Sequence, residues 1–164
     1  MKYLCTPYSP PSSILFAGEQ DVWRSHAYEL ALRLNLWLNH DLGRLAISPI
    51  VHWHYSALTF GLGKDAKTFV GWNKECLRKC DEVVFPAIPC LLDSVGVRQE
   101  MIWAKEMEKA VIWMDYIPES IVAPWTRFLQ SHQINTSVPS SKDFVRFRTD
   151  PESWSIPDPK MFPA

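Results

Sequence analysis

One rhythm constrains this chain more than any other feature. Four short apolar runs, KYLCTP (2–7), LAISPI (45–50), EVVFPA (82–87) and VIWMDY (111–116), are each separated from the next by enough residues to build a helix. Short runs rich in Val, Ile, Leu and aromatic residues, stopped by proline, read as buried strands. The first is stopped by Pro7, Pro10 and Pro11, and the second by Pro49. Between the first two, Trp23, Ala27, Leu30, Leu34 and Trp37 recur at three and four and predict a helix over 19–40. Further helices are expected over 65–79, after Asp93, and over 120–132. Strands that alternate with helices at this spacing pair in parallel and need helices on both faces. The expected fold is therefore α/β, a doubly wound, mostly parallel sheet of four or five strands of the flavodoxin/Rossmann kind.

Two stretches fall outside the rhythm. VHWHYSALTFGLG (51–63) carries aromatic and histidine residues, ends in two glycines, and reads as a loop. From Pro139 onward, five prolines (Pro139, Pro151, Pro157, Pro159 and Pro163) predict irregular chain. Phe144, Phe147, Trp154, Met161 and Phe162 interrupt that stretch, so it is expected to pack on something rather than float. The division expected is an α/β domain over 1–117 and an extension over 118–164, packed on the domain or on a neighbouring subunit.

Composition narrows the function classes. With 164 residues, 47% apolar and 21% charged, the chain suits one domain with a sizeable core. A net charge of −1 and the absence of Lys/Arg runs argue against polymeric nucleic acid as a ligand. No apolar run approaches the ~18 residues of a membrane helix. No leader precedes the first strand, so a cytoplasmic protein is expected. Cys5, Cys76, Cys80 and Cys90 sit in strand-like or helical contexts, which fits reduced, mostly buried thiols.

Residues that can meet at one site in a parallel sheet lie just past the carboxyl ends of its strands. TPYS, SPIVHWH, PAIPCLLDS and DYIPES qualify, and the third feeds into a helix carrying Glu100 one turn after Ser94-Val95-Gly96. A helix-start acid ordinarily favours the dipole and faces water, but this one is aimed at the crevice. His52 and His54, two apart in an extended segment, would point the same way and could join Cys76 and Cys80 around zinc. The Cys76–Cys80 spacing is that of a helix rather than a knuckle, so no metal site is expected.

YLCTPYS, ISPIVH, CDEVVF and SVGVRQEMIWA, in this order over residues 2–115, resemble the nucleoside 2-deoxyribosyltransferase superfamily. They look closest to its small phage and bacterial branch, described as a domain of unknown function. From Pro118 the resemblance stops. It implies that Glu100 attacks the anomeric carbon of a 2-deoxyribosyl nucleoside or nucleotide, forming a covalent glycosyl ester that water or a second base then resolves. It further implies that Tyr3 orients this carboxylate and that Asp81 faces the base. Pro7, Tyr8 and Ser9, with His52 and His54, would line the pocket. Trp53 and Trp72 could stack on a base or simply pack. Base-transferring relatives carry a second acid where this chain has Ser94. A serine there, with the Val95 and Gly96 amides, suits a 5′-phosphate. The implied protein is a homodimer or higher homo-oligomer that needs no cofactor. A nucleotide-binding or sensing module that keeps the fold without turnover is the alternative. The base and the acceptor are not readable.

Overall fold

The computed structural model describes residues 1–10, 17–60 and 66–153. Its elements are β1 (Lys2–Leu4), α1 (Ala17–Leu36) continued by a π turn (Trp37–Asp41), β2 (Ala46–Ile47), α2 (Pro49–Phe60) and α3 (Ala66–Lys79). Then follow β3 (Glu82–Pro86), α4 (Val95–Glu106), β4 (Ala110–Met114), α5 (Glu119–Ser131) and α6 (Ser141–Thr149). All four strands pair in parallel in the order β2-β1-β3-β4. The chain moves one way from β1 to β2, then returns across β1 to β3. Right-handed crossovers in opposite directions put their helices on opposite faces. Accordingly α1 packs with α5, and α3 packs with α4. This is the doubly wound α/β fold expected from the alternation.

The sheet is covered on both sides. Val83, Val84 and Phe85 are all buried, so alternate side chains of β3 meet a core in either direction. The helical stripe on α1 behaves as its spacing predicts: Trp23, Ala27, Leu30 and Leu34 are buried. Trp23 meets Trp125 of α5 edge-on at 5.0 Å, so the two helices lock through indoles.

Two expectations need correction. Residues 51–60 form most of α2 rather than a loop. Pro49 occupies the first helical position, where its missing N–H costs nothing, and no helix breaker follows before Gly61. The Pro-rich end is not wholly irregular either. Ser140 Oγ accepts from Asp143 N at 3.1 Å, and Asp143 Oδ2 accepts from Ser140 N at 2.9 Å. This capping box starts α6. Phe144 of that helix stacks on Trp113 of β4 at 4.4 Å, and Phe147 lies against Phe85 at 6.5 Å. The expected packing of Trp154, Met161 and Phe162, and the irregularity expected around Pro157, Pro159 and Pro163, lie outside the described residues. No described helix is long and apolar enough to cross a membrane.

The placement of α6 sets an expectation for stability. Phe147 is fully buried and Val145 is 62% exposed on the same helix. Phe147→Ala should cost about 3–5 kcal/mol through lost contacts and a cavity. Val145→Ala should cost under about 0.5 kcal/mol. Urea denaturation midpoints of the two variants check this. Equal effects would mean that α6 does not belong to the core.

Candidate active site

Reversal of winding at β1 opens a crevice between the carboxyl ends of β1 and β3. A cleft of about 120 Å³ lies there. Residues following β1 (Thr6, Tyr8 and Ser9) form one wall, and the start of α4 (Ser94, Val95 and Gly96) forms another. Ile50 of α2 and Phe69 and Asn73 of α3 close the side, and Glu100 forms the floor.

Helix α4 places Glu100 one turn and a half from its start, aimed back at β1. The Tyr3 hydroxyl donates to Glu100 Oε1 at 2.8 Å, and the buried Cys5 thiol lies close to the carboxylate. Tyr3 and Cys5 alternate along β1, so both side chains leave the same face of the sheet. Glu100 Oε2 is buried and has no hydrogen-bond partner among the described residues. Burial pushes the Glu100 carboxyl up to about 7, against the opposing pull of the Tyr3 hydroxyl and the Cys5 thiol. Burial first, and then the nearby Glu100, hold the Tyr3 phenol well above its ordinary range. Tyr3 therefore stays protonated and remains a donor. The pair presents one tethered carboxylate oxygen and one free one, which is the arrangement of a nucleophile or a general base.

The start of α4 adds an anion-friendly corner. Ser94 is the N-cap: its Oγ accepts from Val97 N at 3.4 Å, and its carbonyl accepts from Arg98 N at 3.0 Å. The Val95 and Gly96 amides precede every intrahelical acceptor, so they and the helix dipole favour negative charge in the cleft. An added β-carbon at Gly96 would meet only Ser94 Oγ, at 3.8 Å, so the fold itself does not demand glycine there.

A second hollow adjoins the first and shares Tyr8, Ile50, Phe69 and Asn73 with it. Pro49, Trp53 and His54 complete its wall. The Tyr8 hydroxyl and His54 Nδ1 lie 3.0 Å apart, and His54 stacks on Tyr28 at 4.5 Å. Trp53 stacks on Phe69 at 5.5 Å, with Trp72 edge-on to it at 5.2 Å.

Thr6 Oγ1 and Asn73 Oδ1 in the cleft, and Trp53 Nε1 in the adjoining hollow, are also buried without a partner among the described residues. Native interiors leave few such groups. Four of the nine such atoms among the described residues, these three and Glu100 Oε2, lie on the cleft and the hollow beside it, which suits a polar ligand.

The structure thus brings Tyr3, Tyr8, Ser9, Ser94, Val95, Gly96 and Glu100 together, with His54 one layer back. Three expected members do not join them. Asp81 precedes β3 at the amino-terminal edge of the sheet and is bonded to the Met1 amine, which holds its carboxyl below the usual range. Its side chain is 77% exposed, and the five residues of β3 span roughly 16 Å between it and the crevice. A helix-to-strand turn is always at the far edge from a parallel sheet's crevice, so Asp81 cannot face a base there. His52 sits on α2 rather than on an extended segment. Two residues apart on a helix is about 200° of rotation, so His54 is buried while His52 is exposed. That rotation also removes the shared His52–His54 direction on which a zinc site was weighed. Pro7 is buried and does not line the cleft.

Thr6 and Ile50 fall within the strand-end segments named from sequence without being singled out there, and Phe69 and Asn73 are lining residues outside those segments. Asn73 had a signal. It interrupts the stripe Phe69, Cys76, Leu77 on α3, where a polar residue has no packing reason to be.

Residues 1–116 match the model of a family described as a domain of unknown function (DUF1937), and the chain belongs to that family. The matched segment contains β1 to β4 and the whole cleft; α5 and α6 follow it. No curated protein and no solved structure matches the chain.

Glu100 carries a stability signature that needs no knowledge of substrate. Its carboxyl moves from 4.5 to about 7 on folding, so the native state holds a proton that the unfolded chain releases. This contribution is fully present below pH 4.5 and is lost as pH rises through 7. Ionising it in the fold costs up to about 3 kcal/mol, at about 1.4 kcal/mol per pH unit. Relative to Glu100→Gln, the wild-type protein should lose stability between pH 5 and pH 8. Parallel urea midpoints for the two proteins across that range would show Glu100 to be ordinarily acidic.

Proposed function

We propose that the protein cleaves the N-glycosidic bond of a deoxynucleoside 5′-monophosphate or deoxynucleoside, or exchanges its base, with Glu100 as nucleophile. The observation that carries this reading is the Tyr3–Glu100 pair. One carboxylate oxygen is fixed by a phenol that stays protonated, and the other is buried without a partner on a residue that lines the cleft. In the first step Glu100 Oε2 bonds to the anomeric carbon. The carbon–nitrogen bond breaks, and the base leaves with the electron pair and takes up a proton. In the second step water or another base attacks that carbon and the ester bond breaks, restoring the carboxylate. Rigid placement on α4 holds the carboxylate near attack distance.

The substrate's ends follow from the walls. Ser94, Val95 and Gly96 suit a 5′-phosphate, through unsatisfied amides and the positive end of α4. The hollow beside Asn73, lined by Trp53 and Phe69, offers aromatic faces and a free amide oxygen for a base. With Asp81 at the far edge, the leaving base's proton comes from another source. Tyr55, Phe60, Val70 and Trp72, exposed on α2 and α3, suit an interface between copies of the chain, in keeping with a homo-oligomer. We place the protein in the cytoplasm, where its four free thiols would stay reduced.

Incubation with a panel of deoxynucleosides and their monophosphates, following release of free base, tests the reading. Monophosphates should be cleaved at least about tenfold more efficiently, since each charge-assisted hydrogen bond contributes about 1.5–3 kcal/mol. Glu100→Ala should lower turnover by several orders of magnitude, roughly 10³ or more, while staying folded. Retention of wild-type turnover in that variant would sink the mechanism. Binding of monophosphates without any release of base would favour a sensing module instead.

The nucleophile must be ionised, so kcat/KM of the free enzyme should fall as pH drops below about 7. Tyr3→Phe removes a hydrogen bond that favours the ionised form and should move this limb to higher pH. A pH profile of both proteins decides the point, and an unmoved limb would separate Tyr3 from the acidity of Glu100.

A further inference from the structure

The helix that carries Glu100 is launched by the turn over 87–94, and that turn is held from outside the family core. Ala87 N donates to Met114 O at 2.8 Å, which ties the start of the turn to β4. Two loop bonds then hand the chain forward, Leu91 N to Ile88 O at 3.4 Å and Ser94 N to Leu91 O at 3.3 Å. Between them Cys90 adopts φ 65°, a left-handed conformation that a residue with a β-carbon takes only under constraint. That constraint comes from α5 and the segment just after it. The Trp125 indole donates to Pro89 O at 3.1 Å, and the Cys90 thiol donates to Asn135 O at 3.8 Å. Trp125 itself is 1% exposed and wedged against Trp23 and Phe128. Both contacts grip Pro89 and Cys90, the central residues of the 88–91 bend, and both come from beyond residue 116, where the family match ends.

We propose that Trp125 is a positioning residue: through the Pro89 carbonyl, α5 fixes the left-handed turn and so sets the Ser94 cap and the first amides of α4 against the cleft. Trp125 touches no cleft-lining residue in these contacts and acts only through the turn. Its influence falls on the anion corner at Ser94-Val95-Gly96, more than on Glu100. Glu100 is held separately by Tyr3.

Hydrogen exchange tests this directly. Trp125→Phe keeps an aromatic ring in the Trp23 and Phe128 contacts and deletes the donor to Pro89. Amides of 88–97 should exchange at least about tenfold faster in this variant, with those of β1 and α3 changing less than about twofold. Cys90→Ala removes the second tie without touching α5, and should quicken the same segment. It also serves as the test if Trp125→Phe fails to fold. Acceleration spread evenly over the sheet, or unchanged exchange in 88–97, would overturn the proposal. The kinetic arm rests on the glycosidic reading above. Trp125→Phe should raise KM for deoxynucleoside monophosphates at least about fivefold, leaving KM for deoxynucleosides and the kcat of both nearly unchanged. Equal rises for both substrate classes would also count against it. If the wild-type protein releases no base from any substrate, the glycosidic reading fails and the exchange pattern alone decides the role of Trp125.

Discussion

A single hydrogen bond joins the two ends of the argument between fold and chemistry: Tyr3 to Glu100, across 97 residues of sequence. It requires β1 to sit at the centre of the sheet, because only a central strand has its carboxyl end open to elements returning from both directions. It requires β3 next to β1, so that α4 can begin beside the end of β1 and point a side chain back towards it. The pairing of Lys2, Tyr3 and Leu4 with Glu82, Val83 and Val84 supplies that adjacency. Moving β1 by one residue would turn Tyr3 to the opposite face and bring Leu4 towards Glu100.

Around this pair the molecule keeps polar groups that it could have satisfied or removed. An enclosed carboxylate, a threonine hydroxyl and an asparagine amide on cleft-lining residues, and an indole N–H in the adjoining hollow, are buried without partners among the described residues. Each such group costs roughly 1–3 kcal/mol when left unmade. The large aromatic core on both faces of the sheet offsets that cost. Trp23, Trp125, Phe85 and Phe147 are all buried, and apolar area of that size contributes about 25 cal/mol per Å². Four of the buried groups left without a partner thus lie at the cleft and the hollow beside it, while Trp23 Nε1, Arg24 Nε, Asn35 Oδ1, Ser48 Oγ and Trp113 Nε1 are left so elsewhere.

What was legible in the sequence depended on whether a signal was local. Strand and helix order followed from the period of apolar residues, and the strand-end rule then placed Tyr8, Ser9, Ser94, Val95, Gly96 and Glu100 near one another. Tyr3 and Glu100 are joined by register, which no local pattern encodes; only the family resemblance linked them. Helix α2 was hidden because Trp, His and Tyr are middling helix formers, and its helicity rests on a proline at the first position and burial of one face. The role of Asp81 came from the family resemblance alone, and the fold does not carry that residue to the crevice. A parallel strand carries its two ends to opposite edges, and Asp81 stands at the wrong one. Proline content concealed α6, whose start is marked by the Ser140–Asp143 box.

The cover that α6 places over Phe85 and Trp113 has a consequence for how the protein comes into being. The segment matching the family is made first, with the sheet complete by Met114. The helix that closes its outer face, Ser141–Thr149, begins 27 positions later. At roughly 5–20 residues per second, synthesis leaves several seconds between the two. Until α6 is made, Phe85 and Trp113 lack the aromatic partners, Phe147 and Phe144, that cover them in the finished fold. Chain order therefore leaves the closing of this face to the last described helix.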